Sequence, residues 1–195
     1  LVDVSALAHI QKRRFIERLL LQKKAGPLAL LTADGETTQF FYLDQCVFDV
    51  GIAGLNECVQ HLTGNELHES DDAQKLAGNI LETLGTRCAH WNEDGIAMAL
   101  SATKDPRLEH RFAVLDLEHF GHPARAVVKS DDSPTDVRYT PGAEVATAAD
   151  LSPIERLRIE SRFHSLLGHG SPTRIAAPDS ETSPASVANF STAAM

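Results

Sequence analysis

Residues 47–69 carry the arrangement of residue types best suited to binding chemistry in this chain. An extended apolar run breaks at Gly51 and Gly54, and a helical pattern follows until Gly64. A strand that passes through a glycine turn into a helix places backbone N–H donors at a pocket rim, where they bind phosphate groups. Glu57 lies in the first helical turn, where the helix dipole favours a carboxylate. An ordinary strand–helix connection has the same spacing, so the spacing alone leaves both interpretations open.

Two histidines stand at a spacing found in some metal sites. His119 and His122 are separated by two residues. Gly121 and Pro123 oppose a helical placement of the pair, and no carboxylate or cysteine completes a ligand set. We therefore predict no metal site in this segment.

The carboxylates and hydroxyls that could act in catalysis have a structural explanation. Glu109 and Glu155 suggest a pair for acid–base work. However, Ser152, Pro153 and Glu155 follow the pattern of a helix capping box, which explains Ser152 and Glu155 as caps. No GxSxG, P-loop or HExxH motif occurs. We predict no catalytic residue in this segment.

The three cysteines, Cys46, Cys58 and Cys88, form no CxxC pair, and their number is odd. A disulfide framework or a zinc site is therefore not expected. The simplest interpretation is buried, reduced thiols. A radical or redox cysteine is the alternative.

Periodic apolar residues, glycines and prolines predict a mixed α/β chain. The predicted helices cover residues 4–24, 55–62, 71–92 behind the cap Ser70, 106–120 and 153–167. The predicted strands cover residues 28–32, 39–43 after a turn at 34–35, 47–52 and 96–102. Residues 123–149 are expected to be irregular. The buried face predicted for the fourth helix is Leu108, Phe112, Leu115 and Phe120.

The composition excludes two classes of partner. The formal net charge of -9 opposes a nucleic-acid surface, because neutralising phosphates requires clustered Lys and Arg. No apolar run approaches the length of a membrane span, and no signal peptide is visible. At 195 residues the chain is long enough for a real core. The sequence predicts a cytoplasmic protein that binds neither nucleic acid nor membrane.

Four segments follow one another in an order that identifies a family. They are GIAGLNE at 51–57, RFA and LD within 111–116, YTPG at 139–142, and the helix from LS to FH at 151–164. Together they resemble anaerobic (class III) ribonucleoside-triphosphate reductases, over about residues 10–190. Two departures stand out. Gly142 replaces a serine of the family pattern, and its Pro-Ala-Glu element appears with only Pro106 and a displaced Glu109.

The resemblance implies a fold, a reaction and a set of site residues. The chain would form part of a ten-stranded α/β barrel of the glycyl-radical enzyme type, with residues 1–170 in the catalytic barrel and 171–195 as a poorly ordered tail. The parent enzyme would be an oxygen-sensitive reductase that makes deoxyribonucleotides for DNA replication by radical chemistry. The implied substrate-binding residues are Gly54, Leu55, Asn56, Glu57, Tyr139 and Thr140.

The cofactors that the resemblance implies lie outside this segment. They are a glycyl radical, installed by a radical SAM activating enzyme, and a zinc site. The family's radical cysteine lies upstream, so none of the three cysteines takes that role, and we expect the isolated chain to be inactive. The implied partners are ribonucleoside triphosphates, the activating enzyme and a second subunit in a homodimer, and ATP binding is expected in the parent.

Two alternatives remain open at this point. One is a piece of another glycyl-radical enzyme with the same barrel and a different substrate. The other is a non-catalytic remnant used in binding or assembly. Leu1 at the beginning and the run of Ser, Thr, Pro and Ala at the end suggest a piece of a longer protein. Allosteric effectors, the electron donor and the oligomeric state are not encoded in any motif.

Overall fold

The structure is a computed structural model that describes residues 1–22, 25–31, 41–93, 95–102, 105–130 and 136–175, with residues 183, 185, 186 and 189. Helices dominate it. They are α1 (Val2–Leu20), α2 (Leu55–Thr63), α3 (Asp71–Glu93), α4 (Pro106–Phe120), α5 (His122–Arg125) and α6 (Pro153–His164). The strands are β1 (Phe48–Ile52), β2 (Met98–Ala102), β3 (Lys129–Ser130) and β4 (Val137–Arg138).

Helix beginnings follow the capping residues in the sequence. The Ser152 hydroxyl accepts a hydrogen bond from the Glu155 N–H, and the Glu155 carboxylate accepts from the Ser152 N–H, which confirms the capping box of α6. At α4 the Asp105 carboxylate accepts from the Arg107 N–H, and Pro106 occupies the first helical position. Both caps satisfy N–H groups that the first turn of a helix leaves unpaired.

The α3 helix confirms the predicted cap Ser70 and half of the buried stripe that the apolar spacing predicts, which is Ala73, Leu76, Ala77, Ile80, Leu84 and Cys88. The Ser70 hydroxyl accepts from the Asp72 N–H. Residues at helical spacing are buried along one face. They are Ala73, Ala77, Leu81 and Cys88. Leu81 was not in the predicted stripe, whereas Leu76, Ile80 and Leu84 are only half-buried.

The strands form two small sheets. β1 pairs with β2, and β3 pairs with β4 in an antiparallel hairpin. In that hairpin Lys129 lies opposite Arg138, and Ser130 lies opposite Val137. The fold is therefore mixed α/β with mostly helices and few strands. The ten-stranded barrel stays a prediction.

The chain divides into two compact units, residues 1–50 with 83–100 and residues 51–82 with 101–195. In the first unit the Asp3 carboxylate accepts hydrogen bonds from Arg87 Nε at 2.7 Å and Trp91 Nε1 at 3.0 Å. The His9 ring lies 5.2 Å from the Phe48 ring. The buried apolar residues of this unit are Val2, Ala6, Phe48, Cys88, Met98 and Leu100.

The second unit combines an apolar core with buried polar groups. Its larger buried apolar side chains are Leu55, Val59, Leu67, Leu81, Val145, Phe163 and Leu167. Its buried polar residues are Asn56, Glu57, Ser101, Glu109, Thr140, Glu144 and Glu160. Buried carboxylates and amides need hydrogen-bond partners or they destabilise the fold. The partners of Asn56, Glu57 and Glu160 define the candidate site below.

Two predicted strands are wrong where the structure describes them. Residues 29–31 form a 3-10 turn, closed by a hydrogen bond from the Leu31 N–H to the Leu28 carbonyl. Leu30 is 93% exposed, so this run is not interior. Leu43–Gln45 forms a second 3-10 turn. A short apolar run becomes a strand only when another strand pairs with it, and the turn predicted at 34–35 lies outside the described residues.

Three further boundaries or faces differ from prediction. The α4 helix buries Glu109 and Ala113, while Phe112 and Phe120 are 46% and 63% exposed. Residues 123–149 are not wholly irregular, because they contain most of α5 and the β3–β4 hairpin. The α6 helix ends at His164 rather than 167, because the Leu166 N–H turns back to the Phe163 carbonyl.

Among the described residues, no helix combines the length and hydropathy that crossing a membrane requires.

Candidate functional site

The six residues predicted to bind substrate lie together in the second unit. The chain leaves β1, turns at Gly54 with φ +77° and enters α2. The Gly54 N–H donates to the Thr140 carbonyl at 2.9 Å. Ala53 and Pro141 form an isolated antiparallel bridge beside this bond. We call residues 54–57, 139 and 140 the junction, because two distant parts of the chain meet there.

Glu57 connects the two segments of the junction, residues 54–57 and residues 139 and 140. Its side chain is 1% exposed, and its carboxylate accepts from the Thr140 N–H at 3.1 Å and from the Thr140 hydroxyl. Burial raises the pKa of Glu57, although the hydrogen bonds from Thr140 act in the opposite direction. The carboxylate thereby holds the Thr140 backbone in place, 83 residues away along the chain.

Gly54 is required by both conformation and space. Positive φ values are unfavourable for residues with a Cβ atom. A Cβ atom at Gly54 would also lie 3.2 Å from Tyr139 Cγ. Gly142 shows the same combination, with φ +53° and a Cβ position 2.8 Å from Ala102 Cβ. The serine that the resembled family places at Gly142 would therefore not fit this backbone.

Tyr139 is held from both its ends. Its N–H donates to the Glu109 carbonyl at 3.3 Å, and its hydroxyl donates to Asp116 Oδ2 at 2.5 Å. Burial and the hydrogen bond to Asp116 raise the pKa of Tyr139 well above its ordinary value. The phenol is therefore a neutral hydrogen-bonding group at physiological pH.

Asn56 connects α2 to a polar network. Its Oδ1 atom accepts from the Leu67 N–H at 3.0 Å, and its Nδ2 atom donates to Glu66 Oε2 at 3.1 Å. Lys129 Nζ reaches the other Glu66 oxygen at 2.5 Å and Gln60 Oε1 at 2.8 Å. Burial acts to raise the pKa of Glu66, but the bonds from Lys129 and Asn56 together lower it. The network fixes Lys129 beside the junction.

The burial of the junction residues limits what each can do for a ligand. Leu55, Asn56, Glu57 and Thr140 are all less than 7% exposed. The hydrogen bonds of Asn56, Glu57 and Thr140 are made within the chain. Gly54 and Tyr139 are only half-buried. Chemically, the junction can present backbone groups and the tyrosine to a ligand, while the buried side chains hold that surface rigid.

A second buried carboxylate fixes the segment that follows the junction. Glu160 Oε1 accepts from the Val145 N–H at 3.0 Å. Arg156 lies beside Glu160 and donates to the Val145 and Ala146 carbonyls, each at 2.9 Å. Residues 145 and 146 are therefore anchored to α6 through side chains from successive turns of that helix.

The other residues considered for chemistry lie elsewhere. His119 Nδ1 bonds the Leu115 carbonyl of its own helix at 2.7 Å. The parts of the chain that the structure describes contain no group of three or more His, Cys, Asp or Glu able to hold a metal ion. The prediction of buried thiols is confirmed for Cys88 but is wrong for Cys58, which is exposed, and for Cys46, which is half-buried. Desolvation raises the pKa of the Cys58 and Cys88 thiols. Both thiols are therefore protonated at neutral pH.

Sequence reasoning brought the six junction residues into one set but missed the groups that support them. Glu66 and Lys129 were not singled out, and Asp116 was noted only as part of the LD pair of a family-like segment. Lys129 lies 63 residues from Glu66, so no local spacing could have paired them. The sequence after α2, Glu66-Leu67-His68-Glu69, shows two glutamates but gives no sign of which distant cation pairs with them.

Comparison with protein-family models gives a match over the whole chain. A family model described as anaerobic ribonucleoside-triphosphate reductase matches residues 1–195. A search of curated proteins gives no match.

Proposed function

This chain belongs to the anaerobic ribonucleoside-triphosphate reductase family, and from that premise we propose that it forms part of the catalytic barrel of such a reductase. In the proposed parent, ten strands form the barrel, and the ribose 2′-hydroxyl of the substrate is replaced by hydrogen through radical chemistry. The family match extends over the whole chain. It favours this function over that of a different glycyl-radical enzyme.

We propose that the junction is the part of the barrel wall that contacts the ribonucleotide. The observation that carries this proposal is the pairing of Glu57 with the N–H and hydroxyl of Thr140. It joins two of the four family-like segments at one place. The half-buried Gly54 backbone and Tyr139 then face the ligand, while Leu55, Asn56 and Glu57 hold them.

The residues of the junction suit recognition rather than bond breaking. Glu57 has both oxygens engaged by Thr140, so it is not free to move a proton to or from a ligand. Tyr139 stays protonated because burial and its short hydrogen bond to the Asp116 carboxylate raise its pKa. Both groups therefore orient the ligand surface, and we place the radical steps on other parts of the parent enzyme.

The remaining features of the parent are proposals that follow from the family. They are a glycyl radical installed by a radical SAM activating enzyme, a zinc site, ATP binding, a homodimer and a cytoplasmic location. The described residues do not assemble three ligands for a zinc ion, so no step is assigned to zinc here. We expect the 195-residue chain alone to form no deoxyribonucleotide.

Photoaffinity labelling tests the assignment of the junction. The 195-residue chain would be irradiated with a ribonucleoside triphosphate that carries an azide on its base, then digested and mapped by mass spectrometry. We expect labelled peptides to contain residues 51–57 or 139–142, and an excess of unlabelled ribonucleoside triphosphate should suppress the labelling. Labelling confined to residues 1–50 and 83–100 would show that the substrate does not bind at the junction.

A further inference from the structure

A small cavity opens directly beside the junction. It has a volume of about 180 Å³, and Tyr139 and Thr140 form one of its walls. The β3–β4 hairpin contributes Lys129 and Arg138, and the segment after the junction contributes Thr147. None of the described residues that line this cavity is acidic. The cavity therefore joins the proposed substrate-binding surface to two basic side chains.

The two basic residues occupy positions that normally repel each other. Lys129 and Arg138 are directly opposite in the antiparallel pair of β3 and β4. Like charges at opposed positions of a sheet are destabilising unless something offsets them. Glu66 offsets Lys129 through a 2.5 Å contact. An anion in the cavity would lie close to both cations and would reduce the repulsion further.

The size of the cavity restricts the ligand. Pockets that enclose a whole drug-sized molecule usually have volumes of about 300–1,000 Å³. At about 180 Å³ this cavity accommodates only part of a nucleotide. Its lining includes two cations and the hydroxyls of Ser130 and Thr147. Guanidinium and ammonium groups with hydroxyl donors suit phosphate oxygens better than they suit a base.

Part of the cavity lining is held in place by side chains of α6. Ala146 and Thr147 belong to this part of the lining. Arg156 donates to the Ala146 carbonyl at 2.9 Å, and Glu160 accepts from the preceding Val145 N–H at 3.0 Å. Arg156 and Glu160 are 12% and 2% exposed at their side chains. Preorganised walls reduce the entropy that a ligand loses on binding.

We propose that this cavity binds the phosphoryl groups of the nucleotide whose sugar contacts the junction, with Arg138 and Lys129 as the anion-binding residues. The proposal rests on the proposed function and specifies which end of the substrate lies on the β3–β4 side.

Calorimetric titration with inorganic triphosphate tests the proposal on the 195-residue chain. We expect saturable binding that weakens as salt increases. The substitution Arg138→Gln should weaken binding about tenfold, because it removes a charge and a bidentate donor. Arg138→Lys, which keeps the charge and guards against loss of folding, should retain part of the affinity. Arg107→Gln is the control, since the Arg107 side chain is 90% exposed and pairs with Asp105 away from the cavity.

Each result has a defined meaning, with helix content checked by circular dichroism for every variant. Unchanged affinity in Arg138→Gln, or equal losses in Arg138→Gln and Arg107→Gln, would overturn the proposal. So would triphosphate that binds without competing against a ribonucleoside triphosphate, because the anion would then occupy a separate site. If the ribonucleotide binds and inorganic triphosphate does not, only this inference fails. If neither binds, the proposed function fails with it.

Discussion

Two glutamates in this chain each accept hydrogen bonds from the N–H and the hydroxyl of a single residue, one in the core and one at the surface. Glu57 accepts from the N–H and hydroxyl of Thr140, and Glu155 accepts from the N–H and hydroxyl of Ser152. The donors of Glu155 lie three residues away on an exposed helix end. Those of Glu57 lie 83 residues away, in the core of the second unit. The donor groups are of the same two kinds, and the surroundings and the chain separation differ.

That difference determines what each contact contributes. Burial raises the pKa of Glu57, whereas the hydrogen bonds from Ser152 lower the pKa of Glu155. At the exposed cap, water replaces a lost bond at little cost. In the core, water does not replace a lost acceptor, so an unpaired donor there lowers the free energy of unfolding. The exposed pair starts a helix, while the buried pair fixes the relation between two distant segments.

The largest expected effect comes from deleting the buried acceptor. Glu57→Ala should lower the free energy of unfolding by about 2–6 kcal/mol, because a buried donor without an acceptor costs about 1–3 kcal/mol and Thr140 would be left with two. Urea denaturation followed by circular dichroism measures this change. Glu155→Ala is the matched control and should cost far less. Equal losses in the two variants would mean that burial does not distinguish the contacts.

A pair of glycines extends the comparison from side chains to the backbone. Gly54 and Gly64 have φ values of +77° and +80°, so alanine at either position adds about 1–2 kcal/mol of conformational strain. Only at Gly54 does the new Cβ meet another residue, Tyr139 Cγ at 3.2 Å. Gly54→Ala should therefore be less stable than Gly64→Ala by about 1 kcal/mol. The same denaturation experiment measures both variants. Identical free energies of unfolding would show that Tyr139 moves aside without a loss of stability.

The two glutamates should also give the stability opposite dependences on pH. For Glu57 the folded pKa lies above the ordinary 4.5, so the stabilising effect of its protonation is lost as pH rises through the folded value. For Glu155 the folded pKa lies below 4.5, so its contribution is present above that pH and is lost as pH falls through the folded value.

Glutamine variants make this dependence measurable by thermal unfolding between pH 3 and pH 7. Relative to the natural chain, Glu57→Gln should gain stability as the pH rises above about 4.5. Over the range below about pH 4.5, Glu155→Gln should lose stability relative to the natural chain as the pH rises. The sign of each slope is the observable. Slopes of the same sign for both variants would contradict the assigned directions.

The contrast between these glutamates also shows what can be predicted from the sequence. The cap of α6 is contained in four consecutive residues, so Ser152 and Glu155 could be assigned without a structure. The turn at Gly54 and the end of α2 at Gly64 were predicted for the same reason. In contrast, the partners of Glu57 and Lys129 depend on how distant segments pack.

The wrong predictions share a physical cause. Burial of Glu109 in place of Phe112 depends on which face of α4 meets β4, and the apolar pattern of α4 supports more than one face. The 3-10 turn at Ala29–Leu31 has the apolar composition of a strand, but among the described residues it belongs to neither sheet. Local patterns set the elements, and tertiary contacts select among the faces and strand pairings that those patterns allow.

The most direct measurement is the affinity of the chain for a ribonucleoside triphosphate when each hydroxyl donor is removed in turn. Thr140→Val and Ser152→Ala each take one hydroxyl from a glutamate that has two donors, one at the junction and one at the exposed cap. If the junction is the ribonucleotide-binding wall, Thr140→Val should weaken binding about tenfold, the equivalent of about 1.4 kcal/mol. Ser152→Ala should leave the Kd within about twofold of the natural value. A Thr140→Val chain that keeps its helix content and binds the ribonucleotide with unchanged affinity would contradict the assignment of the substrate site to the junction.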